Sequence, residues 1–257
     1  MTLIKDYLTE LLKKKKREDD RDVFAYRNVK VDVNPIKNAN GSARVRLGST
    51  DVLVGVKLDV GEPFPDTPDD GILITNAELS PIASPEFEPG PPREGAIELA
   101  RVIDRGVRES KAIALDKMCI KPKEKVWIVF IDVYPLNDGG NLLDAAALGA
   151  IVALKNAVFP EYDAKEDMVK HKELSKKKLP LNKTPILCTF GKLNGSLIVD
   201  PTSREEVCLD ARLSISTTTD GHVAAMQKGG EGVFTDKEIT QLVDVALKRG
   251  KELRKLV

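Results

Sequence analysis

Cysteine and histidine are scarce in this 257-residue chain, and that scarcity removes several chemistries at once. Three cysteines (Cys119, Cys188, Cys208) are an odd number without a CxxC spacing. Neither a disulfide framework nor a zinc site has its residues, and reduced, buried thiols in a cytoplasmic protein are expected. The two histidines, His171 in a charged stretch and His222 in a strand-like one, give a Ser/Cys–His triad no evident partner set. No GxxxxGK[ST], HExxH, GxSxG or GxGxxG motif occurs, so ATP hydrolysis, zinc proteolysis, serine hydrolysis and dinucleotide binding lack their signatures. No run near about eighteen apolar residues exists, nor an apolar core to the first twenty residues, so no membrane partner is expected. Excess charge is missing too. Lys+Arg and Asp+Glu are both 40, so any nucleic-acid binding must come from a local patch or from patches assembled by several subunits.

What remains is the composition of a globular protein, 42% apolar and 31% charged, long enough for one large domain or two closely packed smaller ones. Leu3, Ile4, Tyr7, Leu8, Leu11 and Leu12 fall at helical spacing, predicting a short amphipathic helix within residues 1–20. It runs into Lys13-Lys14-Lys15-Lys16-Arg17, read as a solvated helix end. From residue 28 the period becomes that of strands: Ala43 to Leu47 alternates, and Asp51 to Val60 and Ile72 to Leu79 follow. A proline-rich stretch, Pro81 to Pro92, ends at a helix beginning near Arg93. That helix turns Ile97, Leu99, Ala100, Val102, Ile103 and Val107 inward, and Arg101, Arg105 and Arg108 share its exposed face. Lys125 to Tyr134 is a β-branched and aromatic strand with Trp127 in the core. Through Asp138-Gly139-Gly140 it reaches an apolar helix, Leu142 to Val158. Residues 161–184 are charged and read as a linker between halves spanning 21–160 and 185–257. The second half predicts strands at Ile186–Leu193, Ser196–Asp200, Val207–Thr218 and His222–Lys228, then a helix capped by Thr235. Strands followed by helix, twice over, give an α+β class with helices packed on the sheets.

Four segments together resemble the RNase PH family: Asn40–Lys57, Glu88–Ser110, Asp132–Asn141 and Gly195–Glu206. The likeness covers about residues 23 to 250, and the wording EPGPPREGAIELARVIDR is most similar to the non-catalytic RNase PH-like subunits of the archaeal exosome. The resemblance implies an RNase PH-like fold of two β-rich halves. It also implies a hexameric ring in which this chain alternates with an active RNase PH-like subunit, RNA-binding cap proteins above the ring, and single-stranded RNA threaded 3′ to 5′. The active partner uses inorganic phosphate as the nucleophile, and no cofactor is implied for this chain.

Phosphorolysis needs an anion site in line with the scissile bond, cations on the transferring group, and an acid for the leaving oxygen. A Gly-Gly before a helix N-terminus suits phosphate. Active relatives then place Ser or Thr followed by Arg, where this chain has Asn141 and Leu142. They keep three aspartates at six-residue steps, where this chain has Asp200, Glu206 and Arg212. They carry arginine three residues before the position of Glu98, where this chain has Gly95, with Glu94 before it and Arg93 nearby. The resemblance therefore implies a non-catalytic subunit. It implies RNA contact at Arg101 and Arg105, with Arg108 on the same stripe. Spacing alone also fits simple ion pairs with Glu98, Asp104 or Glu109.

Overall fold

A computed structural model describes residues 2–257. An opening helix, α1 (Thr2–Lys13), precedes four strands: β1 (Val29–Val33), β2 (Gly41–Leu47), β3 (Thr50–Gly61) and β4 (Ile72–Ala77). Helix α2 (Glu94–Glu109), strands β5 (Cys119–Lys121) and β6 (Lys125–Asn137), and helix α3 (Leu142–Lys155) follow. A hairpin of β7 (Val158–Asp163) and β8 (Met168–Lys178) comes next. The second half runs β9 (Ile186–Leu193), β10 (Ser196–Val199), α4 (Ser203–Glu206), β11 (Ala211–Thr217), β12 (Val223–Gly229) and α5 (Asp236–Leu253).

The first sheet has the order β1-β2-β3-β6-β4 with β5 also on β6, antiparallel except for the parallel β4–β6 pair. Alternation in the sequence becomes alternation across this sheet. Val52, Val54, Val56 and Leu58 of β3 are buried and lie opposite apolar residues of β6, as in Val54↔Val133 and Val56↔Ile131. The second sheet, β10-β9-β11-β12, is wholly antiparallel. Helix α3 lies against β2 and β3 on one side and β9 on the other, which explains why it is apolar nearly all round. It comes so close to the first sheet that a Cβ on Gly149 would sit 2.7 Å from Val54 Cγ2. Helix α2 covers β4 and touches β12, and α5 covers β9 and β11. Mixed sheets with packed helices constitute the expected α+β, RNase PH-like architecture.

The opening helix docks on the far half of the chain: Leu8 and Leu12 are buried with Leu193, Ile198 and Cys208. Trp127 is buried as expected, edge-on to Phe159 with ring centroids 4.8 Å apart. Thr235 caps α5 in a reciprocal arrangement with Glu238.

Four expectations need correction. Residues 161–184 are not a plain linker, because β8 pairs with β7 to make a hairpin. The charged, poorly alternating sequence hid it, and the register slips twice along the pair. Ile97 points outward and is 49% exposed, since the buried stripe of α2 follows Ala96, Leu99, Ala100 and Ile103 instead. The strand expected from Val207 starts only at Ala211, because Thr202 and Glu205 form a capping box that turns residues 203–206 into α4. Arg17, read as part of a solvated cationic end, is 2% exposed. Its guanidinium forks onto Glu205 and donates to the carbonyls of Val199 (2.7 Å) and Asp200 (2.9 Å).

Candidate functional site

The end of β6, the start of α3 and the β10–α4 turn converge on one point. Asp138 Oδ1 accepts from the Gly140 amide at 2.9 Å, which shapes the turn into α3. Gly140 has φ +89°, and a Cβ there would lie 2.3 Å from Ser203 N, so only glycine lets α4 approach so near. Asn141 follows in the left-handed region (φ +56°) and is the N-cap of α3. The resemblance makes this helix terminus the phosphate site, yet part of it is already engaged. The Asn141 amide donates to Glu206 Oε1 at 2.9 Å, so a carboxylate of the chain itself occupies the place of an anion.

The Asn141 side-chain amide donates to Asp144 Oδ2 and to Asp200 Oδ1, both at 2.9 Å. Asp200 is fully buried and receives three further donors from Arg27: the backbone amide (2.8 Å) and Nε (3.0 Å) on Oδ2, and a guanidinium nitrogen (2.7 Å) on Oδ1. Arg21 adds one more to Oδ2 at 2.8 Å. Arg27 also reaches the carbonyls of Gly139 (2.7 Å) and Gly140 (2.9 Å), the two glycines of the turn. Leu142, half-buried on the first turn of α3, offers no charge to a phosphoryl group.

Deeper, Asp144 joins the two halves. It accepts from Tyr26 Oη (2.6 Å) and from the amide (2.9 Å) and hydroxyl (2.7 Å) of Thr189. Burial raises its pKa to about 6, against the pull of those hydrogen bonds. Burial likewise raises Glu206 to about 7, opposed by the Asn141 amide and helped by Asp138, with Arg212 and Arg27 pulling down.

Arg212 stands where active relatives keep a third aspartate, and it ion-pairs with Glu98 of α2. Arg93 is taken by Glu88 instead of facing this site. Glu98 lies one turn before Arg101, so the arginine stripe of α2 begins beside Arg212. The three arginines differ. Arg101 is exposed and makes no ion pair or side-chain hydrogen bond among the described residues. Arg105 donates to Gln227 Oε1 at 3.0 Å. Arg108 is held by Asp104 (2.9 Å) and the Leu73 carbonyl (3.0 Å).

Sequence reasoning found Asn141, Leu142, Asp200, Glu206 and Arg212, and the fold gathers the first four around one turn, with Arg212 adjoining through Glu98. It missed Arg21, Arg27, Tyr26, Asp144 and Thr189. A single arginine 173 residues from its carboxylate carries no local signal.

The family described as "3′ exoribonuclease family, domain 1" matches residues 25–160, and its domain 2 matches residues 183–249. The chain belongs to the RNase PH 3′ exoribonuclease family. An exosome complex component Rrp42 of Pyrococcus furiosus is 51% identical over 256 residues, 99% of this chain and 92% of that protein. The Rrp42 of Methanosarcina acetivorans is 49% identical over 255 residues, 99% of this chain and 93% of that protein. Among solved structures, a chain of the Archaeoglobus fulgidus exosome with RNA bound to the active site superposes with a TM-score of 0.91 at 45% identity, over 99% of this chain and 97% of that one. Rice Rrp46, at 18% identity and a TM-score of 0.69, shares the fold. Among the described residues no helix is long and apolar enough to cross a membrane.

Proposed function

We propose that this chain is a non-catalytic, RNA-contacting subunit of an exosome-type ring, alternating with an active RNase PH-like subunit and supporting that partner's phosphorolysis of single-stranded RNA. The carrying observation is the Glu206 carboxylate on the Asn141 amide, with Leu142 in the next position. With that amide taken by Glu206 and Leu142 in place of a cation, the turn offers inorganic phosphate a weakened clamp, and removing a clamping guanidinium forfeits several kcal/mol of transition-state stabilisation. The exosome assignment rests on the near-full-length likeness to Rrp42 proteins and to an exosome chain solved with RNA. Arg101 is the first RNA-contact residue, because its guanidinium is exposed and unspent, and Arg105 lies one turn further on. Arg108, already neutralised by Asp104, contributes least.

One observation favours activity of the chain itself: Glu206, with a pKa of about 7, has the acidity of a general acid at neutral pH. The deciding experiment is phosphate-dependent degradation of a short single-stranded RNA by this chain, by an active partner, and by the mixture. Under the proposal this chain is inert and raises the partner's rate, and Arg101→Glu with Arg105→Glu abolishes that gain. Nucleoside diphosphate release by the chain alone, lost in Glu206→Gln, would make it an enzyme. An unchanged mixture rate in the charge-reversed variant would make it purely architectural.

A further inference from the structure

The hairpin of β7 and β8 occupies the interval between the two family segments, so its chemistry is not part of the fold's common site. Strand β8, MVKHKELSKKK, holds five lysines against one glutamate, a net +4 in a chain whose 40 basic and 40 acidic residues balance. Charge of one sign is therefore concentrated on one strand.

Most of that charge is unspent. Lys170 pairs with Asp163 at 3.2 Å. Lys177 lies over the Phe159 ring, 5.1 Å from its centroid, which ties that side of the strand to the body. Lys172, Lys176 and Lys178 are exposed, and among the described residues none has a carboxylate within 4.0 Å. Lys176 and Lys178 are two residues apart, within about 7 Å along the strand, and with Lys172 they make up its exposed cationic surface. The platform is fixed: Lys125 pairs with Asp167 at the hairpin's turn, and Trp127 packs edge-on to Phe159 and Tyr162 of β7.

We infer that this face of β8 is a second RNA-contact surface, separate from the α2 arginines, that holds the phosphate backbone of single-stranded RNA without reading its sequence. Lysine is a hydrated point charge on a flexible stem, suited to backbone phosphates and not to base edges. β8 carries no Phe, Tyr or Trp, and its one aromatic ring, His171, stands 3.8 Å from Asp59, so the lysines themselves give no sequence preference. An acidic protein surface is the competing occupant. An RNA-degrading assembly, the function proposed above on which this inference rests, instead presents a phosphodiester backbone to exposed cations, and the three unpaired lysines stand on a hairpin anchored to the body.

The test uses the full chain, a fluorescent single-stranded RNA of about 20 nucleotides, and anisotropy across 50–200 mM KCl. Each lost phosphate contact removes about 0.7 from the salt slope and, at 0.1 M salt, about fivefold in affinity. The triple variant Lys172→Gln/Lys176→Gln/Lys178→Gln should therefore flatten the slope by about 2 and weaken binding about a hundredfold. Lysine-to-arginine changes at the same three positions keep the charge and should retain both. The matched variant Lys14→Gln/Lys15→Gln/Lys16→Gln removes equal charge from the end of α1 and should change little. An unchanged slope in the β8 variant overturns the inference and leaves the lysines to an acidic protein or to solvent. Equal losses in both triple variants overturn it as well, because the effect would then be global charge. None of these outcomes depends on whether the chain is catalytic.

Discussion

Replacing Asp200 with asparagine tests whether the residue is structural, and the structure sets the size of the effect. Five donors point at its two oxygens: Arg21 and two nitrogens of Arg27 meet Oδ2, while another Arg27 nitrogen and Asn141 meet Oδ1. Whichever way an asparagine amide turns, its NH2 faces at least two of those donors. Arg27 loses its one carboxylate partner in the process, while Arg21 keeps Asp19 at 2.6 Å. Breaking a buried pair by removing one partner costs about 3–5 kcal/mol. In a chain of this length that lowers the thermal midpoint by about 6–20 °C. Urea unfolding followed by circular dichroism reads the loss directly. Adding Arg27→Met to Asp200→Asn should cost less than the two single losses combined, by at least about 1 kcal/mol, because the second change removes the orphaned charge left by the first. A loss under about 1 kcal/mol for Asp200→Asn, with strict additivity in the pair, would refute the structural role and free Asp200 for chemistry.

Two more tests address the same turn. The folded-state pKa of Glu206 is raised from 4.5 to about 7, so the folded protein prefers the protonated form. Its cost is absent below pH 4.5, grows between 4.5 and 7, and is complete above 7. Glu206→Gln should therefore gain stability over wild type through that window, reaching an order of a few kcal/mol at pH 8; parallel urea midpoints at pH 4.5, 6 and 8 would contradict it. Asp144, raised from 3.8 to about 6, gives the same sign and should persist in the variant. Gly140→Ala must place a Cβ 2.3 Å from Ser203 N at φ +89°, so strain and overpacking together should cost about 2–4 kcal/mol in a thermal melt, and a cost below 1 would show that α4 can retreat freely.

Elements with strong periodicity were readable before the fold was known. Val52, Val54, Val56 and Leu58 declared β3 by alternation, and Thr235 with Glu238 declared the start of α5. The hairpin was not readable, because β8 alternates charge with charge and its pairing slips in register. Helix α4 went unread between two expected strands, since four residues are too few to show a helical period. At the site, motif comparison located the residues that depart from active relatives, because a departure is visible at its own position. The network that holds this turn was not visible. Arg27, Tyr26 and Thr189 are ordinary residues locally, and their roles arise from partners 45 to 173 positions away.

The Arg17 fork has a consequence for synthesis on the ribosome. Arg17 emerges well before its partner Glu205, which follows 188 residues later. At about 5–20 residues per second, that is a wait of roughly 10–40 s during which α1 has no dock and Leu8 and Leu12 stay in water. The four consecutive lysines at 13–16 sit between those leucines and Arg17, so the waiting segment carries its own solubilising charge until the second sheet arrives to receive it.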